Sequence, residues 1–442
     1  MDTNVISDET VRVVIVGHVD HGKSTLIGRL MYDLNQTPDG KYEELKKVCD
    51  KRGMTFEWAF LMDALQTERN QGITIDTSQV FFKTKNRNYV FIDAPGHREF
   101  LRNMITGASS ADVAILIIDA DEGIKGQTKK HAYLLKILGI SEVLVLINKM
   151  DIINYNKKRF LTIKKEINNF LNLISVKSKI VIPISARNGE NINNKSQKMS
   201  WYDDLNLVES LDSFNIKNES SHLPLRLPIQ DIYKFSEKRI IIGKIESGSI
   251  KLGDQVVVSP SNAKAKVNSF EVWPKTNREE FYSGECVSLT LDEKIFIERG
   301  DMISHLKNLP QLTNIFEANI FWLSKKNLDC DKIYSIKLNS AEHKITFKKI
   351  IGVINTEDLS RKKDNTVEKN DVAEVLIHSK SLISTDNFKE NPTIGRFSII
   401  DDYEIGGGGI INIENYPNQR IYKTIKEKNI LPIKSLITEA ER

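Results

Sequence analysis

Apolar residues in the first half of the chain gather in short continuous runs, separated by longer stretches of mixed polarity. The runs are Val11–Val16, Val90–Ile92, Val113–Ile118, Val143–Ile147 and Ile180–Ile184. Short unbroken apolar runs bounded by polar turns predict strands buried on both faces, as in a parallel sheet. Between them, Lys23–Leu34, Thr128–Leu138 and Lys158–Leu171 alternate apolar and charged positions at helical spacing. Strand and helix in turn, from about residue 11 to 212, predict an α/β domain with a parallel sheet and helices on both faces. Leu34–Gly72 is long and charged with little strand pattern, and fits a helical hairpin or a loop equally.

Beyond residue 213 the texture changes. Ser213–His222 is polar and irregular, as a linker would be. Short strands follow, broken by turn residues: Arg239–Ile245, Glu246–Ser249, Gln255–Ser259, Ala265–Phe270 and Gly284–Leu291. Glu317–Leu323, Ile333–Leu338, His343–Thr346, Lys348–Asn355, Asp371–Ile377, Arg396–Asp401 and Gly408–Asn412 form a second set, with Arg361–Asn365 a charged loop. Evenly spaced short strands predict two all-β barrels. The expected domains are 1–212, 222–309 and 312–415, with a polar tail over 416–442.

The chain has 442 residues, too many for one core. Lys and Arg number 63 against 59 Asp and Glu, a formal net charge of +4. That near balance gives no reason to expect a surface coated in nucleic acid, and leaves room only for a local basic patch. The three cysteines, Cys49, Cys286 and Cys330, are odd in number and form no C-x-x-C pair. They read as reduced thiols, not a disulfide framework or zinc site. The opening MDTNVISDET lacks the basic and apolar runs of a signal peptide, and no apolar run is long enough to span a bilayer. A cytoplasmic location and no membrane partner are therefore expected.

Candidate chemistry begins at Gly17-His18-Val19-Asp20-His21-Gly22-Lys23-Ser24, which fits G-x-x-x-x-G-K-[ST] between a strand and a helix. Glycines there let backbone N–H groups turn inward around a phosphate, and the helix that follows aims its N-terminus at the same anion. Lys23 would reach the β- and γ-phosphates, Ser24 would ligate Mg²⁺, and Thr25 completes the phosphate-binding set. Asp20 fits either a monovalent-cation ligand or a cap on the loop. Asp93-Ala94-Pro95-Gly96 ends the next strong strand. Asp93 can hold Mg²⁺ through water, and Gly96 can offer its N–H to the γ-phosphate. Thr74, in Gly72-Ile73-Thr74-Ile75, fits a second Mg²⁺ hydroxyl or an ordinary strand residue. With the first role, Leu34–Gly72 becomes a switch ordered by the γ-phosphate. His97 follows Gly96 directly, where it can orient the attacking water.

Asn148-Lys149-Met150-Asp151 follows the strand Val143–Ile147. The Asp151 carboxylate can accept from the N1–H and 2-amino group of guanine, a donor pair that adenine lacks. Asn148 would tether the loops around the base and Lys149 would lie along its face. Ser185-Ala186 follows the next strand and can present a backbone N–H to the guanine O6. The expected ligands are GTP and Mg²⁺, and the expected chemistry is GTP hydrolysis.

These elements, in this order and followed by two β domains, resemble the translation-factor GTPases over nearly the whole chain. The segments GHVDHGK (17–23), FEWAFLMDALQTERNQGITI (56–75) and DAPGHREFLRNM (93–104) are similar to elongation factors of the 1-alpha type. Other segments resemble the large GTPase subunit of sulfate adenylyltransferase: STLIGRL (24–30), LQTERNQGITID (65–76), NKMDIINY (148–155), SWYD (200–203), RLPIQDIY (226–233), IESGSIKLGD (245–254) and ENPTIGRFSIIDDYEIGGGGII (390–411). That subunit has Ser and Asp where this chain has His18 and His21, and Cys where Ala94 stands. The tail KEKNILPIKSLITEAER (426–442) is similar to the segment preceding a fused adenylylsulfate kinase domain. The resemblance implies a GTPase that couples hydrolysis to adenosine 5′-phosphosulfate synthesis. It implies a small catalytic subunit as partner and no nucleic acid, with the adenylylsulfate kinase either absent, lost by truncation, or a separate protein and so a second partner. The alternative is an elongation-factor-like carrier of aminoacyl-tRNA.

Overall fold

The computed structural model describes residues 10–37, 39–63, 78–93, 111–137, 139, 140, 142–214, 219–235, 238–271, 278–354, 360, 362 and 365–420. The chain divides into two compact units, one of Met1–Lys217 with Ile320–Leu328 and Gly352–Ala373, the other of Asn218–Asn319, Asp329–Ile351 and Glu374–Arg442.

The first unit is built on six strands: β1 (Thr10–Gly17), β2 (Ser78–Lys83), β3 (Asn88–Asp93), β4 (Val113–Asp119), β5 (Glu142–Asn148) and β6 (Lys177–Pro183). Their order in the sheet is β2-β3-β1-β4-β5-β6. β2 runs antiparallel to β3, while β1, β3, β4, β5 and β6 are parallel. All seven residues of β4 are buried, as its apolar run requires. β1 lies between β3 and β4, so the chain leaves it to build the sheet in both directions. A cleft opens at the carboxyl ends of the strands where such a reversal occurs, and ligands bind there.

The helices are α1 (Lys23–Asp33), α2 (Lys41–Arg52), α3 (Ala59–Asp63), α4 (Gly126–Ile137), α5 (Lys157–Leu173) and α6 (Leu207–Asp212). α5 buries Phe160, Ile163, Ile167, Phe170 and Leu171, one stripe at helical spacing. The Asn156 side chain starts it by accepting from the Arg159 N–H. α6 begins with a capping box between Asn206 and Glu209. The described part of Leu34–Gly72 forms α2 and α3, which decides for helix over loop in 41–52 and 59–63.

The first barrel contains β7 (Leu227–Phe235), β8 (Lys238–Lys244), β10 (Gln255–Ser259), β11 (Ala263–Phe270), β13 (Cys286–Leu291) and β14 (Met302–His305), closed in the order β10-β11-β13-β8-β7-β14. β9 (Ser249–Lys251) and β12 (Glu280–Tyr282) pair separately. The second barrel contains β15 (Gln311–Trp322), β16 (Tyr334–Leu338), β17 (Ala341–Ile354), β18 (Val372–Thr385), β19 (Arg396–Asp401) and β20 (Glu404–Asn412), closed as β15-β18-β17-β16-β19-β20. Closure removes the exposed strand edges that an open sheet would carry.

Three details depart from the sequence reading. Of the expected strand Glu246–Ser249, only Ser249 lies in a strand, as the first residue of β9. The chain turns at Gly248, φ 75°, before β9 begins. His343–Thr346 and Lys348–Asn355 merge into the single strand β17. The first residues of the expected tail are anchored: the Gln419 N–H donates to the Leu312 carbonyl at 2.8 Å, and Arg420 donates to Ser259 Oγ at 2.8 Å and to the Pro310 carbonyl at 3.0 Å. Residues 421–442 lie outside the described residues.

Candidate functional site

β1 ends at Gly17 and α1 starts at Lys23, so His18–Gly22 is a tight loop at the carboxyl edge of the sheet. Gly22 caps α1 with φ 89°, a left-handed conformation that costs glycine little. A Cβ there would also sit 2.5 Å from Asn148 Nδ2. Asp20 takes the left-handed region as well, at φ 64°. Ser24 and Thr25 fall in the first turn of α1, beside the N–H groups that have no partner within the helix.

Lys23 is buried, and its Nζ donates to the carbonyls of Gly17 at 2.9 Å and His18 at 3.0 Å. Burial lowers its pKa, against the opposing pull of Asp93 and Asp20. An anion entering the loop would favour the charged form. The Lys23 amine is thus held inside the loop by the Gly17 and His18 carbonyls, where a bound phosphate would meet it.

Pairing of β1 with β3 places Ile15 opposite Asp93. The carboxylate thus reaches the start of α1, where Ser24 Oγ donates to Asp93 Oδ2 at 3.3 Å. A hydroxyl and a carboxylate on adjoining elements are hard oxygen ligands of the kind Mg²⁺ prefers. Ser24 and Asp93 therefore fit this ion, which when bound neutralises phosphate charge. Thr74, Gly96 and His97 lie outside the described residues.

Asn148 closes β5 and is buried. Its Nδ2 donates to the His21 carbonyl at 2.8 Å, and its Oδ1 accepts from the Ala186 N–H at 2.9 Å. One side chain thus joins the phosphate loop to the loop after β6. Lys149 adopts φ 62° and pairs with Asp119 Oδ2 at 2.7 Å. Burial works to raise the Asp119 pKa. The Lys149 ammonium and the N–H groups of Asp121 and Glu122 outweigh it and hold the carboxyl below its ordinary range. Asp151 accepts from Ser185 Oγ at 2.6 Å through Oδ1, and Ser185 itself is fully buried. The loop after β5 thus meets the loop after β6 through Asn148 with Ala186 and Asp151 with Ser185, while Lys149 is held to Asp119.

Sequence reading missed Asp119, although it ends the strongest apolar strand and its register partner on β5 is Asn148. It also passed over the structural use of His21. The ring is buried, with Nδ1 3.2 Å from the Ile117 carbonyl and Nε2 3.5 Å from Glu122. His18 meets it edge-on at 5.4 Å.

Among the described residues, no helix is long and apolar enough to cross a membrane.

The profile of the elongation factor Tu GTP binding domain matches residues 8–227, and that of the GTP-eEF1A C-terminal domain matches residues 315–412. Elongation factor 1-alpha of Pyrococcus furiosus is 36% identical over 420 residues, covering 91% of this chain and 98% of its own. The Pyrococcus abyssi and Thermococcus celer proteins of the same name are 35% and 33% identical over the same length and share of this chain. A solved structure of sup35 complexed with GDP covers 93% of this chain and 96% of its own at 24% identity, with a TM-score of 0.43. These relatives favour the elongation-factor reading over the sulfate-activating one. With a GTP-binding domain match over residues 8–227 and relatives at 33–36% identity across 91% of the chain, the protein uses GTP and Mg²⁺ and belongs to the translation-factor GTPases of the elongation factor Tu and 1-alpha family.

Proposed function

We propose that this chain is a GTP-controlled carrier of elongation factor 1-alpha type, which binds the acceptor end of aminoacyl-tRNA in its GTP state and releases it after hydrolysis. Gly17–Gly22 and Lys23 hold the phosphates, and Thr25 and Gly96 complete that set. Ser24, Asp93 and Thr74 hold Mg²⁺, His97 orients water, and Asn148, Lys149, Asp151, Ser185 and Ala186 read guanine. Asp151 sets the choice of nucleotide, because adenine would leave a carboxylate without its donors.

The observation that carries the partner is an aromatic shelf on β7. Tyr233 and Phe235 are 47% and 62% exposed, and their rings stack with centroids 6.3 Å apart. Beside them lies a cavity of about 510 Å³ lined by Gln230, Asp231, Tyr233, Ile242, Arg299 and Asn339 among others. Exposed aromatic faces give unpaired bases a surface to stack on, and Arg299 adds one cation to a lining that also carries Asp231 and Glu246. The name shared by the relatives at 33–36% identity supports the same reading.

A second reading, the GTPase subunit of a sulfate adenylyltransferase, rests on the resemblance of residues 390–411, which include β19 and all of β20 except Asn412. It would take a small catalytic subunit and an adenylylsulfate kinase as partners. Two assays on the full chain separate them. In the first, GTP-loaded protein should protect the ester of aminoacyl-tRNA from spontaneous hydrolysis, and GDP-loaded protein should not. In the second, the chain is mixed with a candidate small subunit, ATP and sulfate. Formation of adenosine 5′-phosphosulfate that rises with GTP, without ester protection, would replace the first reading with the second.

A further inference from the structure

The carbonyl of Arg187, one residue beyond the base-reading Ser185-Ala186 pair, accepts two hydrogen bonds from elsewhere in the first unit. Trp58 Nε1 donates to it at 3.0 Å and Arg29 at 3.2 Å. Trp58 immediately precedes α3. Arg29 is on α1, the helix that opens at the phosphate loop.

The three residues form one assembly. The Arg29 guanidinium lies 4.9 Å from the Trp58 ring centroid and is steered by Asp33 at 2.8 Å, one turn along α1. It also packs against Gly189, φ 78°, where a Cβ would stand 2.1 Å from a guanidinium nitrogen. On its other side Trp58 meets Tyr32 at 4.8 Å, Tyr42 at 5.6 Å and Phe56 at 5.2 Å. The Trp58 carbonyl is so close to Gly28 that a Cβ there would fall 2.1 Å from it. The indole is thus fixed from four sides, and its N–H points at the loop. That loop closes on itself, with the Gly189 N–H donating to the Ser185 carbonyl at 2.8 Å and the Asn188 N–H to Ser185 Oγ at 3.3 Å. Its outward carbonyl would otherwise face solvent.

We propose that Trp58 is a positioning residue for the guanine subsite, holding the Ser185–Arg187 loop against the base and so slowing nucleotide release. Arg29 supports it from α1. A segment between the phosphate loop and Thr74 thereby acts directly on the base loop, and displacing α3 loosens the grip on GDP. The inference rests on the guanine subsite and is independent of which macromolecule the protein carries.

The test is the dissociation rate of a fluorescent GDP analogue from the full chain. Trp58→Phe keeps an aromatic ring in the cluster and removes only the N–H. One hydrogen bond corresponds to roughly 2- to 12-fold faster release. The change in release should exceed any change in single-turnover hydrolysis of bound GTP. Arg29→Met, which leaves the indole in place, should shift release in the same direction by a smaller factor. Release at the wild-type rate from Trp58→Phe, with an unchanged melting temperature, would overturn the proposal. So would a drop in melting temperature matched by equal losses in binding and hydrolysis. If Trp58→Phe does not fold, wild-type release from Arg29→Met decides against it.

Discussion

Asn148 holds the backbone of His21: its side-chain amide donates to that carbonyl at 2.8 Å, across 127 residues of sequence. Its other end takes the Ala186 N–H. Replacing it with alanine leaves a buried carbonyl and a buried N–H without partners, each costing about 1–3 kcal/mol. Asn148→Ala should weaken GDP binding by at least ~30-fold, the equivalent of about 2 kcal/mol. Titration calorimetry against GDP checks this. A loss under threefold would mean that the two loops hold their places without Asn148.

Asp151 offers a cleaner test of base choice. Its Oδ1 is already engaged by Ser185 Oγ at 2.6 Å, which orients the carboxylate. Asp151→Asn exchanges an acceptor for a donor, so guanine's 2-amino group meets an N–H and xanthine's 2-carbonyl finds a partner. GTP affinity should fall by ~100-fold while xanthosine triphosphate gains, within the discrimination that hydrogen-bonding sites reach. Competition against labelled GDP measures both. Unaltered preference for GTP would remove Asp151 from the base subsite.

The order of phosphate loop, Asp93, Asn148–Asp151 and Ser185-Ala186 was legible because each motif is contiguous and sits at a strand end. Strand pattern and chemistry therefore pointed to the same place. The sheet was legible for a related reason, since β1 and β4 bury nearly all their side chains. What could not be read was pairing across distance. Trp58 is one of four tryptophans in the sequence, and nothing local tells that its N–H meets a carbonyl 129 residues away. The merging of two predicted strands into β17 has a similar origin. Lys348 and Lys349 interrupt the apolar pattern, yet the strand continues through them to Ile354.

His21 gives the nucleotide-free protein a pH dependence. Burial lowers its imidazole pKa, outweighing the Ile117 carbonyl, Asp119 and Glu122, which act the other way. A depressed folded value means that the unfolded chain takes up the proton first. Stability from this residue is therefore complete above the unfolded value, about 6.5, and is lost as pH falls through the folded value. Melting temperatures of the apo protein should drop between pH 7.5 and 5.5. His21→Gln should flatten that drop, since glutamine carries no titrating proton. Parallel slopes for the two proteins would place the effect on another group.

In the second unit, Arg226 and Asp386 are both buried and form a two-pronged pair at 2.7 and 2.9 Å. Arg226 also donates to the carbonyls of Leu225 and Asn308, both at 2.8 Å. Asn391 reaches Asp386 at 3.3 Å and Ser247 at 3.0 Å. The pair joins the start of the first barrel to the end of β18 in the second. Two desolvated ions gain little over a well-packed apolar pair, but removing one partner strands the other, at about 3–5 kcal/mol. Arg226→Met should therefore destabilise strongly, with a fall in melting temperature of roughly 6–20 °C. Adding Asp386→Leu should return much of that loss, because no charge is then left buried. The comparison belongs in thermal melts with GDP held constant, since bound ligand shifts apparent stability. If the double variant were no more stable than Arg226→Met alone, the ion pair's geometry, and not the stranded carboxylate, would be what holds the two barrels together.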